Sequence, residues 1–454
     1  MPLLKLTSFG GAGTVTGSKH LLSHNGKHIL VDCGLFQGLK NLRELNWEPL
    51  PIAPKELDAV VLTHAHLDHS GYLPRLVRDG FRGRIYATAA TRDVAELILK
   101  DSGHLQEKDA EYANRKGFSK HKPALPLYTV QDAERALKQF SNVPFGKPAP
   151  LPDGATLTFR YAGHILGAAT AEIDWGGKRI VFSGDLGRYD DPMLFDPQPV
   201  TEADYVVIES TYGNRTHAPS DAAEALGAVI ETTVGRGGTV VIPAFAVGRA
   251  QLLLYYLWKL RQAGRLGSVP IYLDSPMAIN ASELLCDHLA DHRPPAEICH
   301  AACGIATYTR EVEESKQITA SRFPKVVISA SGMATGGRVL HHLAAFAPKR
   351  ENTILFSGYQ AAGTRGQAML QGTREIRIHG QWVPVNAQVA NLPELSAHAD
   401  ANELMRWLSG FRHAPSRIFV VHGEPEASEA LRVRIDKENG WPVSVPRFGQ
   451  VFEL

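Results

Sequence analysis

Four short runs, Ile29-Leu30-Val31-Asp32, Ala59-Val60-Val61-Leu62-Thr63, Ile180-Val181-Phe182-Ser183 and Tyr205-Val206-Val207-Ile208-Glu209, constrain this chain more than any other feature. Each is continuously apolar, rich in β-branched residues, and meets a polar residue at its C-terminal end. A strand with one wet face alternates, whereas a continuously apolar one must be covered on both faces. The sheets therefore need layers on either side, and helical patterns between the runs supply them, as in α/β architectures. Residues 239–243, 326–329 and 353–356 are again strand-like, with helical patterns over 249–262 and 338–347, and predict a second α/β unit. Ile418-Phe419-Val420-Val421 ending at His422 repeats the pattern of the first part. A length of 454 residues suits two domains, or one domain carrying an insertion. Ligand sites collect at the C-terminal ends of such strands, so the polar residues found there are the first candidates.

Other features exclude whole classes of function. Gly11-Ala12-Gly13-Thr14-Val15-Thr16-Gly17 resembles a dinucleotide loop, but its third glycine is one position late. It is also followed by a hairpin where a helix is needed: His24-Asn25-Gly26-Lys27 predicts a type I′ turn, because Asn-Gly accepts two positive φ angles. Lys and Arg number 48 against 47 Asp and Glu, so any phosphate binding must come from a local patch. Four cysteines, Cys33, Cys286, Cys299 and Cys303, do not frame a secreted fold and point to a reducing cytoplasm. Neither a targeting segment nor an apolar membrane span is expected.

The chemistry concentrates in His64-Ala65-His66-Leu67-Asp68-His69, just after the second run. Four donors in six positions, leaving a strand in a turn, allow His64 and His66 to face one cation while Asp68 and His69 face a neighbour. Imidazole and carboxylate suit Zn²⁺, and the scarcity of Cys argues against a thiolate centre. More donors stand at other strand ends: His164 among glycines, Asp185 in Ser183-Gly184-Asp185, whose carboxylate could bridge two ions, and His422. Together they complete a dinuclear set.

In order along the chain, Asp32, His64-x-His66-x-Asp68-His69, His164 and Asp185 resemble the motifs of the metallo-β-lactamase superfamily. Glu209 in Glu209-Ser210-Thr211-Tyr212-Gly213, His398 in Ser396-Ala397-His398-Ala399-Asp400, and His422 resemble its β-CASP branch of nucleases, and within it the subgroup of the cleavage and polyadenylation endonuclease and its prokaryotic relatives. The resemblance implies an αββα sandwich built from residues 1–208 and 394–454, with an α/β β-CASP domain inserted over 209–393 and a metal-bearing cleft between. It implies two Zn²⁺, one held by His64, His66 and His164, the other by Asp68, His69 and His422. Asp185 would bridge them and Asp32 would orient a ligand histidine. His398, paired with Glu209, would be the general acid that protonates the departing 3′ oxygen, leaving a 5′ phosphate and a 3′ hydroxyl.

Single-stranded RNA is the implied substrate, because members of the branch acting on RNA carry histidine at the position of His422. Endonuclease action is implied first, with 5′ to 3′ exonuclease action also in the family's repertoire, and the resemblance allows a homodimer. Residues 329–338, a Ser/Gly loop between a strand and a helix, offer backbone N–H groups to phosphate through Ser331 and Gly332, with Arg338 beside them and Arg249 opening another helix. A tight turn and cap is the alternative role for that loop. The basic run 115–122 reads more simply as solvated surface. Cys286, His288, His292, Cys299, His300 and Cys303 match no paired-ligand zinc spacing and read as small packed side chains. Two other classes stay in view: a hydrolase of small esters on the same centre, and a non-catalytic scaffold subunit. An intact ligand set speaks against the second.

Overall fold

The computed structural model describes residues 3–117, 119–217 and 221–454. Phe118, inside the basic run, lies outside the described residues. The chain forms two compact units. The first comprises Met1–Asp191, Phe195–Thr216 and His398–Leu454.

This first unit holds two seven-stranded mixed sheets. One runs in the order Val451–Glu453, Lys5–Gly10, Lys19–His24, Lys27–Val31, Ala59–Val61, Arg84–Ala87, Phe140–Asn142. The other runs Val443–Ser444, Arg417–Val420, Tyr205–Ile208, Lys178–Phe182, Ala169–Trp175, Thr156–Tyr161, Ala149–Pro150. The continuous apolar runs explain the layering. Ile29 and Val31 point between the sheets, with Phe159, Ile173, Phe182, Val207 and Phe419 of the second sheet in the same core. Leu30 and Val60 point the other way, onto Leu73, Leu76 and Val77 of helix Leu73–Arg78 and onto Ala136 of helix Val130–Leu137. The unit is an αββα sandwich. The Asn25-Gly26 turn has φ of +51° and +71°, the two positive values that a type I′ hairpin needs.

The second unit comprises Pro192–Leu194 and His217–Ala397. Its six-stranded sheet is all parallel, in the order Thr307–Tyr308, Ile271–Leu273, Val326–Ser329, Val240–Pro243, Thr353–Phe356, Gln388–Asn391, and Glu375–Ile378 pairs antiparallel with Gln381–Pro384 in a separate two-stranded sheet. Parallel strands need crossovers and a cover on both faces. Arg249–Gln262 and Val339–Phe346 are helices, as the sequence pattern predicts. Val339, Leu343 and Phe346 pack on Val241, Ile354 and Phe356 in one core. Among the described residues, no helix is long and apolar enough to cross a membrane.

Candidate metal centre

Each donor of the centre is delivered by a strand end of the first unit. After Ala59–Val61 the chain passes Thr63 and His64, and Leu67–Ser70 winds a single helical turn carrying Asp68 and His69. Ser70 Oγ donates to the Ala65 carbonyl at 2.7 Å and closes the loop. Gly34 runs directly over that turn: a Cβ there would lie 1.6 Å from the Asp68 carbonyl oxygen, so only glycine fits. His164 follows Thr156–Tyr161 and Asp185 follows Lys178–Phe182. His422 follows Arg417–Val420 at φ +48°, and its backbone N–H donates to the Gly11 carbonyl at 2.6 Å. The glycine loop that fails as a nucleotide site therefore holds a histidine of this centre.

The side chains gather into two groups. Donor atoms of His64, His66, His164 and Asp185 lie within 4.8 Å of one another, as do those of Asp68, His69 and His422. His66 Nδ1 is 3.1 Å from His164 Nε2, and His69 Nε2 is 3.2 Å from His422 Nε2. Asp185 divides its carboxylate between the groups. Its Oδ2 is 3.5 Å from His64 Nε2 and 3.6 Å from His164 Nε2, while its Oδ1 is 3.2 Å from His69 Nε2 and 3.4 Å from His422 Nδ1. Asp32, at φ +60°, accepts from His69 Nδ1 at 2.7 Å and from the Thr63 N–H at 2.8 Å and its hydroxyl at 2.9 Å. That bond leaves His69 Nε2 facing the centre. The Thr211 hydroxyl lies 3.1 Å from His422 Nδ1.

Electrostatics shows what the cage accepts. Burial drives the His64 imidazole well below its ordinary range, and His66 down to about 4. Both are neutral at physiological pH and present lone pairs. His69 is pulled the other way: burial opposes its charge, but Asp185 and Asp32 outweigh burial and raise it well above an ordinary imidazole. Asp185 is also buried, yet His422 and His69 hold it well below the usual carboxylate range. Buried carboxylates that favour a proton on a neighbour favour a cation in its place, and converging neutral imidazoles supply the lone pairs. The donor set fits borderline divalent metal.

Beside the cage, His398 Nδ1 lies 3.3 Å from both oxygens of Glu209 and 4.0 Å from Asp185 Oδ2. Glu209 accepts from the Leu186 N–H at 2.6 Å and the Thr211 N–H at 3.3 Å, which fix its carboxylate. Burial works against charge on His398, but the Glu209 carboxylate prevails and raises it above the ordinary imidazole range.

The four residues named for RNA contact stand in the second unit. Ser331 Oγ accepts from the Thr335 N–H at 3.2 Å, as a cap does. A Cβ on Gly332 would lie 2.6 Å from the Phe245 ring. Arg249 is buried. Arg338 donates to Asp274 Oδ1 at 2.7 Å and to the Thr309 and Arg310 carbonyls, so its guanidinium braces the loop. Thr63 at a strand end, Gly11 in the glycine loop and Thr211 in the Glu209 motif all stood in quoted segments, but sequence reasoning gave none of them the part of orienting a ligand.

An αββα sandwich with a His/Asp cage at its strand ends defines a metal-dependent hydrolase of the metallo-β-lactamase type. Comparison with known proteins agrees: residues 14–242 match the metallo-beta-lactamase superfamily, 250–369 the Beta-Casp domain, and 382–446 the Zn-dependent metallo-hydrolase RNA specificity domain. The chain belongs to the metallo-β-lactamase superfamily, in its β-CASP branch. It is 37% identical to Ribonuclease TTHA0252 of Thermus thermophilus, over 98% of this chain and 99% of that protein. It is 33% identical to the transcription termination factor FttA of Pyrococcus abyssi, over 98% of this chain and 70% of that protein. A crystal structure of a protein of unknown function from Enterococcus faecalis V583 shares the fold at a TM-score of 0.55 and 13% identity, covering 100% of both chains.

Proposed function

We propose that this protein is a zinc-dependent ribonuclease that hydrolyses phosphodiester bonds of single-stranded RNA, with one zinc held by His64, His66 and His164, a second by Asp68, His69 and His422, and Asp185 between them. The observation that carries this reading is the divided carboxylate of Asp185, one oxygen toward each group of donors. Metal ions bound in such a cage supply a nucleophile at neutral pH and neutralise the phosphoryl oxygens. The chain's own residues do the rest. Asp32 fixes the ring and tautomer of His69 through the Nδ1 bond. His398, protonated because Glu209 faces its Nδ1, donates a proton from Nε2 to the departing 3′ oxygen. Glu209 positions that ring and is itself held by two backbone N–H groups. The products carry a 5′ phosphate and a 3′ hydroxyl.

RNA is supported by the named ribonuclease relative, by the RNA specificity domain match, and by His422 at the position the sequence resemblance singles out. Internal cleavage is the expected mode. Ser331 and Gly332 are the proposed points of contact with the RNA backbone, Arg338 braces their loop and stands beside them, and Arg249 is proposed to add a charge-assisted contact. Four free thiols favour a reducing compartment, the cytoplasm.

The test is incubation of 5′-labelled and internally labelled single-stranded RNA with the zinc-loaded protein and with His398→Ala. The expected result is 5′-phosphorylated fragments from the first and a rate roughly 10²- to 10⁴-fold lower from the second, with RNA binding retained. If His398→Ala cuts as fast, the general-acid role falls. Cleavage of small thioesters or lactones with RNA left intact overturns the whole reading.

A further inference from the structure

Three of the chain's four cysteines meet in one place in the second unit. Cys286 lies at the end of helix Pro276–Asp287, and Cys299 and Cys303 stand one turn apart on Ala296–Cys303, on the same helix face. Cys286 Sγ is 2.7 Å from Cys299 Sγ and 3.8 Å from Cys303 Sγ, and all three sulfurs lie within 4.8 Å of one another. Spacing in the sequence hides this, because the first ligand comes from a different helix.

Packing alone does not account for the arrangement. Cysteine as a small apolar side chain fits Cys299, which is fully buried, but Cys286 and Cys303 are partly open to solvent. Neutral thiols are weak donors and weak acceptors, so three in contact gain little from each other. The three thiols are not equivalent: the Cys303 thiol, followed by burial, pushes Cys299 well above the ordinary thiol range. Burial pushes Cys286 up to about 11, but the Cys299 and Cys286 thiols and the Tyr308 hydroxyl bring Cys303 down to about 7.

The spacing suits a thiophilic ion. Zinc–sulfur bonds of about 2.3 Å place tetrahedral sulfurs about 3.8 Å apart. The Cys286–Cys303 pair already has that separation, and the Cys286–Cys299 pair must open by about 1 Å, within reach of a side-chain rotation. We propose that Cys286, Cys299 and Cys303 form a thiolate site for a soft divalent cation of the zinc class, with a fourth position open to solvent, separate from the His/Asp centre. Three thiolates select zinc over magnesium, calcium or manganese, which prefer oxygen. The site does not depend on the nuclease reading.

The test uses the full chain, reduced until all four thiols titrate in denaturant, then loaded with Co²⁺ alone. The expected result is a thiolate-to-cobalt charge-transfer absorption at one equivalent per chain, which the sulfur-free His/Asp centre cannot produce. Cys286→Ser and Cys303→Ser are each expected to abolish the band and to hold one zinc equivalent fewer after dialysis. Absence of the band at saturating Co²⁺ overturns the proposal, as does a band that survives both variants, which would assign it to Cys33. Should a variant misfold, alkylation of the wild-type chain decides: bound Zn²⁺ should slow modification of Cys286 and Cys303 at least tenfold, and equal rates with and without Zn²⁺ sink the site.

Discussion

Two side chains away from the reacting atoms show how finely the first unit is tuned. Asp32 accepts on both oxygens, from the Thr63 N–H at Oδ1 and from His69 Nδ1 at Oδ2, so the NH₂ of Asp32→Asn would face one of these donors and disturb the ring or its tautomer. Zinc affinity is expected to fall about 10- to 100-fold, read by competition with a chromophoric chelator, with the fold retained. Lys19 is buried, donates to the Gly34 carbonyl at 2.5 Å, and lies over the rings of Phe36 and Tyr72. Burial brings its ammonium from 10.5 down to about 8. In the unfolded chain it stays protonated to about 10.5, so folding releases a proton between those values and stability rises with pH across that window. The rise is at most about 3 kcal/mol. Denaturant unfolding of wild type and Lys19→Met at pH 8 and pH 10 should show the difference, with the variant lacking this rise. His64, His66, Asp68 and His69 stood out in the sequence by their density, whereas His164, Asp185 and His422 stood out only as donors at other strand ends. The roles of Thr63 and Gly11 were not legible, because a hydroxyl and a backbone carbonyl acquire meaning only when a distant segment arrives beside them.

Strands and helices were legible where apolar pattern alone decides, as in Ala59–Val61, Tyr205–Ile208 and Arg249–Gln262. Two-residue strands such as Ala149–Pro150 carry no pattern and exist through pairing with Thr156–Tyr161. No apolar pattern announces the turn Leu67–Ser70, because four residues are too few to carry one. Caps were missed as well. Asp400 closes Ser396-Ala397-His398-Ala399-Asp400, and it caps helix Ala401–Leu408, accepting from Asn402 N–H at 2.8 Å and Glu403 N–H at 2.9 Å. Glu403 returns the favour at the Asp400 N–H, completing a capping box. Asp400→Ala is expected to lower stability by about 1 kcal/mol in thermal unfolding, and Asp400→Ser to restore most of it. An unchanged midpoint would separate this aspartate from the helix it heads. In the sandwich core, Phe419→Ala should cost about 3 to 5 kcal/mol, because this ring is fully buried between the sheets.

For the whole molecule, the cage ties together segments from both sheets of the first unit, so metal content and stability are linked. Binding to the folded state alone at 1,000 times the dissociation constant stabilises by about 4 kcal/mol. Stripping with chelator should therefore lower the unfolding midpoint and abolish RNA cleavage together, and zinc should restore both; a midpoint indifferent to chelator would separate the two. The wiring of the sheets has one more effect. Val451–Glu453 pairs with Lys5–Gly10, and Arg417–Val420 pairs with Tyr205–Ile208, so both sheets of the first unit are closed by segments that follow the second unit in the chain. A chain cut off after the second unit would lack His422 and both of these strands, so its two sheets and its cage would be left incomplete together.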